Sequence, residues 1–213
     1  MRKIENSAHG YTLIELLAVM LILIALGTII ASIFVSSLRG GNKSTTTNDI
    51  RQSGNYAVSQ MSKMIAYAKK LNGLSTDGTS GSFTTDCVQK FINGNPQAPD
   101  VYKYVQITSF DDGETTTTFS CTPVTVSGTT YGILSSNSAN LNPPPAIISS
   151  ALIPDTMDAT TCSFTCNQTN ILSPITININ LTLQKRQSGS TLLLPEAQTK
   201  MNFDTSVTAR NSP

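Results

Sequence analysis

The chain has 213 residues with 14 basic and 13 acidic side chains, which gives a formal net charge of +1. This length allows one folded domain of moderate size besides any anchor, and the near-neutral charge argues against a nucleic-acid-binding surface. The sequence contains neither a G-x-x-x-x-G-K-[ST] nor a G-x-G-x-x-G pattern, so no nucleotide cofactor is expected.

The chain begins with a short polar segment, residues 1–10, and continues into a long apolar run. Between Leu16 and Leu38 there is no ionisable side chain, and a helix of about 23 residues would cross a hydrocarbon core of about 30 Å. A secretory signal is cut behind its apolar stretch. Here the basic residues and the small residue Gly10 precede that stretch, so a cut after Gly10 would retain the apolar helix.

The boundary between these segments carries a specific motif, because residues 10–15 read G-Y-T-L-I-E. This motif resembles the leader of type IV prepilins, G-[YF]-T-L-I-E, which is shared with the pseudopilins of type II secretion. The resemblance implies that a prepilin peptidase cuts between Gly10 and Tyr11 and that the new amino terminus is methylated. It also implies partners: other pilin subunits or further copies of this chain in a helical filament, a membrane platform protein and a cytoplasmic assembly ATPase.

Glu15 is the acidic residue at the start of the apolar run. A charge at the centre of a bilayer costs about 2.5–3.5 kcal/mol on insertion scales, so it persists where it is used. The resemblance implies that Glu15 meets the amino terminus of a neighbouring subunit, that of Tyr11, and sets the register of assembly. The alternative is a plain signal anchor whose Glu15 snorkels to the interface. The leader motif favours the first interpretation.

The histidine count bears on catalysis, because the single histidine, His9, lies in the segment expected to be removed. A mature chain without imidazole excludes Ser-His-Asp and Cys-His nucleophiles and histidine-bearing zinc sites. The densest acidic cluster, Asp111, Asp112 and Glu114, has an order typical of a turn. We therefore predict no catalytic residue, metal or cofactor, and no enzyme activity.

Residues 11–39 are predicted to form a transmembrane or filament-core helix, and residues 40–72 a hinge followed by an amphipathic helix. Gly40, Gly41 and the Thr-rich stretch up to Asn48 predict a break between 40 and 48. Beyond it, apolar residues recur at spacings of three and four, with Gly73 as the expected stop. These residues are Ile50, Gly54, Ala57, Met61, Met64, Ile65, Ala68 and Leu71.

Residues 73–213 are predicted to form a β-rich head. Apolar and polar residues alternate strictly between Ile175 and Gln184, which is typical of a strand with one buried face. Further strands are predicted over 83–91, 102–107, 115–122, 131–134 and 200–207, whereas 135–156 is predicted to be a long surface loop. The expected fold class is α+β: a long N-terminal helix packed on an antiparallel sheet, in a pilin-like arrangement.

The four cysteines lie beyond the apolar run, where an exported domain favours two disulfides. In an extended strand, Cys162 and Cys166 would stand about 13 Å apart, well beyond the limit of about 7 Å between bridged Cα atoms. Each would then pair outward, with Cys87 and Cys121. A tight turn would instead allow Cys162 to bond to Cys166. Zinc is disfavoured, because Cys87 and Cys121 belong to no paired C-x2-C knuckle.

These features predict a structural subunit, a major or minor pilin, of a type IV pilus-like filament. We expect it in the inner membrane before assembly and in a cell-surface filament afterwards. Two alternatives stay open: a type II secretion pseudopilin, and a single-pass membrane-anchored binding module that forms no filament.

Overall fold

The computed structural model of the chain describes residues 12–92, 95–110, 114–126, 128–139, 147–170, 172–186 and 199–210. The chain forms two compact units, Met1–Ser44 and Thr45–Pro213. One long helix precedes a set of antiparallel sheets, which is an α+β layout. The second unit, which includes the last turns of the helix, is called the head below.

Helix α1 extends from Leu13 to Ala66 as one continuous element. The predicted break between residues 40 and 48 is therefore wrong. Two adjacent glycines cost about 1 kcal/mol each in a helix interior, but a helix that is already nucleated continues across a weak point. Thr46 and Ile50, which lie in the next turns of the helix after Gly41, are buried. Packing therefore stabilises the turns beyond the glycines.

Eleven strands follow the helix within the described residues. They are β1 (Lys70–Ser75), β2 (Phe91–Ile92), β3 (Asn95–Pro96), β4 (Val101–Tyr102), β5 (Tyr104–Thr108), β6 (Thr116–Val126), β7 (Thr129–Ala139), β8 (Ile147–Ala151), β9 (Met157–Asn167), β10 (Ile175–Lys185) and β11 (Lys200–Ala209). They form a five-stranded sheet in the order β1-β5-β6-β7-β8, a four-stranded sheet in the order β11-β10-β9-β4, and the small hairpin β2-β3.

The helix ends earlier than predicted, and Gly73 is not its stop. The Lys69 N–H already donates to the Thr108 carbonyl at 2.8 Å, which begins the pairing of β1 with β5. Gly73 lies inside β1 with φ +138°, next to a bulge that follows Leu71. A Cβ at Gly73 would lie 2.7 Å from the Thr84 carbonyl oxygen. This glycine therefore serves a bulge and a close backbone approach.

The head has one hydrophobic core, which combines the inner side of α1 with both large sheets. Ile50 and Met61 of the helix, Phe119 and Leu134 of the five-stranded sheet, and Phe164 of the four-stranded sheet are all fully buried. The predicted stripe of the helix is thus buried at Ile50, Gly54, Ala57, Met61 and Ile65. Leu71 is also buried, but as part of β1.

The alternation predicted for β10 is present, since all five apolar residues from Ile175 to Leu183 are buried. Its neighbour β9 was not predicted. Thr182 of β10 pairs with Thr161 of β9, and the next residue, Leu183, pairs with Ala159, so Thr160 is an extra, bulged residue of β9. A bulge inserts one residue, so the inward and outward positions exchange beyond it. The strand therefore lacks a continuous alternation of apolar and polar residues.

Two further predictions are corrected. The segment 83–91 forms isolated bridges at Thr84 and Val88, and its only strand residue is Phe91, the first of β2. The predicted loop 135–156 contains the end of β7 and all of β8, whereas the run of three prolines within it, residues 143–145, lies outside the described residues. Polar strands such as β7 pair through hydroxyls, for example Ser120 with Ser135 at 2.8 Å, and carry little apolar signal.

The two large sheets are joined by the chain and by a disulfide. The chain leaves the four-stranded sheet after Tyr102 and enters the five-stranded sheet at Tyr104. Cys121 of β6 is bonded to Cys162 of β9, with Cα atoms 5.5 Å apart. Near this bond the Gly132 N–H of β7 donates to the Asp158 carboxylate of β9 at 2.8 Å.

The second disulfide joins Cys87, in the segment between β1 and β2, to Cys166 of β9, with Cα atoms 5.4 Å apart. Cys162 and Cys166 therefore lie on one strand and both pair outward. This is the arrangement that the strand geometry favoured over an internal bond. No cysteine is left free, so all four are in disulfides.

Candidate functional site: the uncovered helix and its first turn

The first part of α1 is exposed along its whole described length. From Thr12 to Thr45 no residue is buried, and the most apolar 18-residue window has a mean hydropathy of 2.8. By length and composition this helix could cross a membrane. The exposed large apolar side chains are Leu13, Ile14, Leu16, Leu17, Val19, Met20, Leu21, Ile22, Leu23, Ile24, Leu26, Ile29, Ile30, Ile33, Phe34, Val35 and Leu38.

Two hydroxyl groups within this run bond to the helix itself. The Thr28 hydroxyl donates to the Ala25 carbonyl at 2.8 Å, and the Ser32 hydroxyl donates to the Ile29 carbonyl at 2.8 Å. Such bonds satisfy a polar group where no water can do so. These side chains are therefore compatible with an apolar surrounding.

The first turn of α1 contains Glu15 and begins with a cap. The Thr12 hydroxyl oxygen accepts a hydrogen bond from the Glu15 N–H at 3.3 Å, and the Thr12 carbonyl accepts from the Glu15 and Leu16 N–H groups. A Thr three residues before a Glu is the sequence signature of a capping box. Sequence reasoning assigned this spacing to the leader motif alone and missed its capping role.

Glu15 is exposed in the first turn, where a negative charge is favoured by the helix dipole. The residues expected to act with it, Gly10 and Tyr11, lie outside the described residues. The predicted contact between Glu15 and the amino terminus of a neighbouring chain therefore stays a prediction. What the structure brings together at this point is Thr12 and Glu15.

The acidic turn is only partly described, because Asp111 and Asp112 lie outside the described residues. Glu114, which follows them, has φ +46° and forms an exposed ion pair with Lys69. An exposed pair of this kind contributes at most about 1 kcal/mol. Among the described residues, no group of three His, Cys, Asp or Glu side chains is placed to hold a metal ion.

Comparison with models of known protein families, with curated proteins and with solved structures found no match for this chain.

Proposed function

We propose that this chain is a structural subunit of a type IV pilus-like filament, processed after Gly10 by prepilin peptidase and assembled through its N-terminal helix. The observation that carries the proposal is the uncovered apolar stretch of α1, preceded by the leader motif and followed by a head that buries its own core. The chain would lie in the inner membrane before assembly and in a surface filament afterwards.

The distribution of apolar side chains supports this function. A helix that is apolar on all sides is normally buried in a core, a membrane or a helix bundle, and large exposed apolar patches mark interaction sites. None of the residues from Thr12 to Thr45 is buried, so this stretch lacks the surroundings that such a helix needs. A lipid bilayer and a bundle of identical helices would each cover it in turn.

Glu15 would supply what the apolar contacts lack, which is register. Apolar side chains pack in many alignments of nearly equal energy, whereas opposite charges attract strongly at short distance in a low dielectric. Desolvation offsets much of this attraction, so the pair would contribute alignment rather than net stability. The residue that it would meet is the amino terminus of Tyr11 on a neighbouring subunit.

The first test is the amino terminus of the protein extracted from membranes. Mass spectrometry should find a chain that begins at Tyr11, with one added methyl group. An intact Met1 would instead identify a signal-anchored binding module, and a chain cut behind Leu38 would identify an ordinary secreted protein. Either of these results contradicts the proposal.

The second test separates assembly from insertion. Glu15→Leu and Glu15→Gln leave the apolar span intact, so both variants should enter the membrane at wild-type levels and be lost from sheared filaments. Glu114→Gln, which removes an exposed carboxylate of the head, is the matched control and should be incorporated normally. Normal incorporation of both Glu15 variants would disprove the register role.

Electron microscopy distinguishes the members of the family. Antibodies against the head should label filaments along their length if the chain is a major pilin, and at sparse points if it is a minor pilin. A pseudopilin would give no labelled surface filaments, and cells that lack the chain would fail to secrete proteins that wild-type cells export.

A further inference from the structure

A small cleft opens on the head beside the Cys87–Cys166 disulfide. Its volume is about 110 Å³, and its walls come from residues 86–90, residues 97–100, Tyr102, residues 166–167 and Asn178. These residues are far apart in the sequence and are brought together by the disulfide and by the pairing of β4 with β9. The cleft is therefore a product of the tertiary structure.

The rim of the cleft carries a charged donor and a charged acceptor. The Lys90 ammonium lies 3.0 Å from the Asp100 carboxylate, and both side chains are more than half exposed. The hydrogen bond to Asp100 and the charge of Asp100 raise the pKa of Lys90, so the ammonium stays charged. The Gln97 N–H donates to the Lys90 carbonyl at 2.9 Å and ties the two walls together.

The floor of the cleft is apolar. It contains the disulfide, whose two cysteines are buried, and the ring of Tyr102, which is 7% exposed. Burial raises the pKa of Tyr102, so its hydroxyl is neutral at physiological pH. Amide side chains of Gln89, Gln97 and Asn167 stand around this floor and are exposed. Amides provide both donors and acceptors.

The lining restricts the class of ligand. Its charged groups, Asp86, Asp100 and Lys90, sum to one negative charge, which disfavours phosphates and other anions. The volume of about 110 Å³ is well below the range of about 300–1,000 Å³ of cofactor sites. A small neutral ligand with many hydroxyl groups and one apolar face fits both of these limits. Hydroxyls match a rim of amides, a carboxylate and an ammonium, because each hydroxyl both donates and accepts.

We propose that this cleft binds one neutral sugar ring, such as the terminal pyranose of a glycan. The C–H face of the ring lies on the floor at Tyr102 and the disulfide, and its hydroxyls bond to Asp100, Lys90 and Gln97. The site belongs to the head alone. It does not depend on filament assembly and would stand equally in a membrane-anchored monomer.

Saturation-transfer difference NMR tests the proposal on the full chain in micelles of a phosphocholine detergent, which has no sugar headgroup. The probes are the methyl glycosides of glucose, galactose, mannose and N-acetylglucosamine, each at millimolar concentration. At least one glycoside should receive saturation, strongest at the C–H protons of one ring face. Absence of transfer to all four would overturn the proposal.

Paired variants locate the binding. Asp100→Asn, Lys90→Met and Gln97→Ala should each weaken binding of the responding glycoside at least tenfold. Asp155→Asn and Lys63→Met remove the same charges from exposed positions outside the cleft and should leave binding unchanged. The assignment would be overturned if the control variants lost as much glycoside binding as the cleft variants, or if all cleft variants bound as well as the wild type. Circular dichroism of each variant verifies that the head is folded.

Competition settles the ligand class. Ethylammonium and inorganic phosphate, each added in tenfold excess, should not displace the glycoside from a site for a neutral ring. Displacement by ethylammonium would show that the cleft takes a cation at Asp100, and displacement by phosphate would show that it takes an anion at Lys90. Either result would replace the proposed sugar.

Discussion

The two halves of α1 share one backbone but have different surroundings. From Leu13 to Thr45 every residue is exposed, whereas six residues from Thr46 to Ile65 are buried. The first half is apolar on all sides from Leu16 to Leu38, and the second half is apolar on the side that faces the sheets. The distribution of apolar side chains, and not helix formation itself, therefore decides what a helix packs against.

Removal of a disulfide should have the largest effect and should affect the head alone. Replacement of both Cys121 and Cys162 by Ala frees a loop that the bond closes, and loss of a native disulfide from a small exported domain costs about 2–5 kcal/mol. Urea unfolding in micelles, followed by tyrosine fluorescence, should show a lower midpoint for this variant. Its flotation with lipid vesicles should stay at the wild-type level, and reduced flotation would contradict the separation of the two halves.

A charge in the first half should have the opposite selectivity. Leu23→Lys places an ammonium in the middle of the apolar run, at a cost of about 3 kcal/mol for membrane insertion. Flotation with vesicles should fall, while the urea midpoint of the head stays constant. Ser59→Lys, at an exposed position of the second half, is the control. If both variants float equally well, the first half of α1 does not hold the chain in the membrane.

Glycine substitutions compare the two halves at the same residue type. A methyl group on Gly54 would overlap the ring of Phe203, whereas Gly40 has open space around it. Overpacking costs about 1–3 kcal/mol, and the helix propensity of Ala offsets about 1 kcal/mol of this. Gly54→Ala should therefore lower the free energy of unfolding of the head by about 1 kcal/mol, and Gly40→Ala should not lower it.

Phe203→Leu provides the check on this mechanism. In the double variant with Gly54→Ala the smaller side chain removes the overlap, so urea unfolding should show that the two changes together cost less than the sum of their separate effects. If the two changes in unfolding free energy simply add, the Phe203 ring does not set the distance between the helix and the sheet.

The smallest effect concerns pH and is confined to the head. Hydrogen bonds from the Ser82 hydroxyl, the Thr79 N–H and the Ser75 hydroxyl hold the pKa of Asp77 well below its usual range. A lowered pKa in the folded state contributes stability above the unfolded pKa of about 3.9, and this stability is lost as the pH falls further. The free energy of unfolding of the Asp77→Asn variant should therefore fall less than that of the wild type when the pH is lowered below about 4. Parallel curves for variant and wild type would contradict this.

The elements with strong periodicity could be predicted from sequence. Three elements repeat a simple pattern over several turns or residue pairs: the apolar run, the stripe from Ile50 to Ile65 and the alternation in β10. The apolar run is exposed, whereas the stripe and the apolar face of β10 are buried. The length of an extended strand favours outward pairing of Cys162 and Cys166 over the internal bond that a tight turn would allow, and the structure has the outward pairs. The choice between Cys87 and Cys121 as partners does not follow from this length, because it depends on which sheet each strand joins.

The rest depends on tertiary structure. The bulge at Thr160 breaks the pattern of β9, and β1 follows the helix so closely that Leu71 continues the helical spacing. Of the candidate site, Glu15 was found from its isolation in an apolar run, but its cap by Thr12 was not. The cleft beside Tyr102 could not be predicted, since its walls come from distant segments that carry no common motif.

The two disulfides are nested, because the bond from Cys87 to Cys166 encloses the one from Cys121 to Cys162. Tension applied between the helix and the carboxyl terminus would pass through the outer bond and bypass the 79 residues that it spans. At about 3.5 Å per extended residue, the outer bond withholds about 280 Å of contour length from extension. The oxidised head is thus nearly inextensible over this region, and a reductant would convert it into a compliant tether.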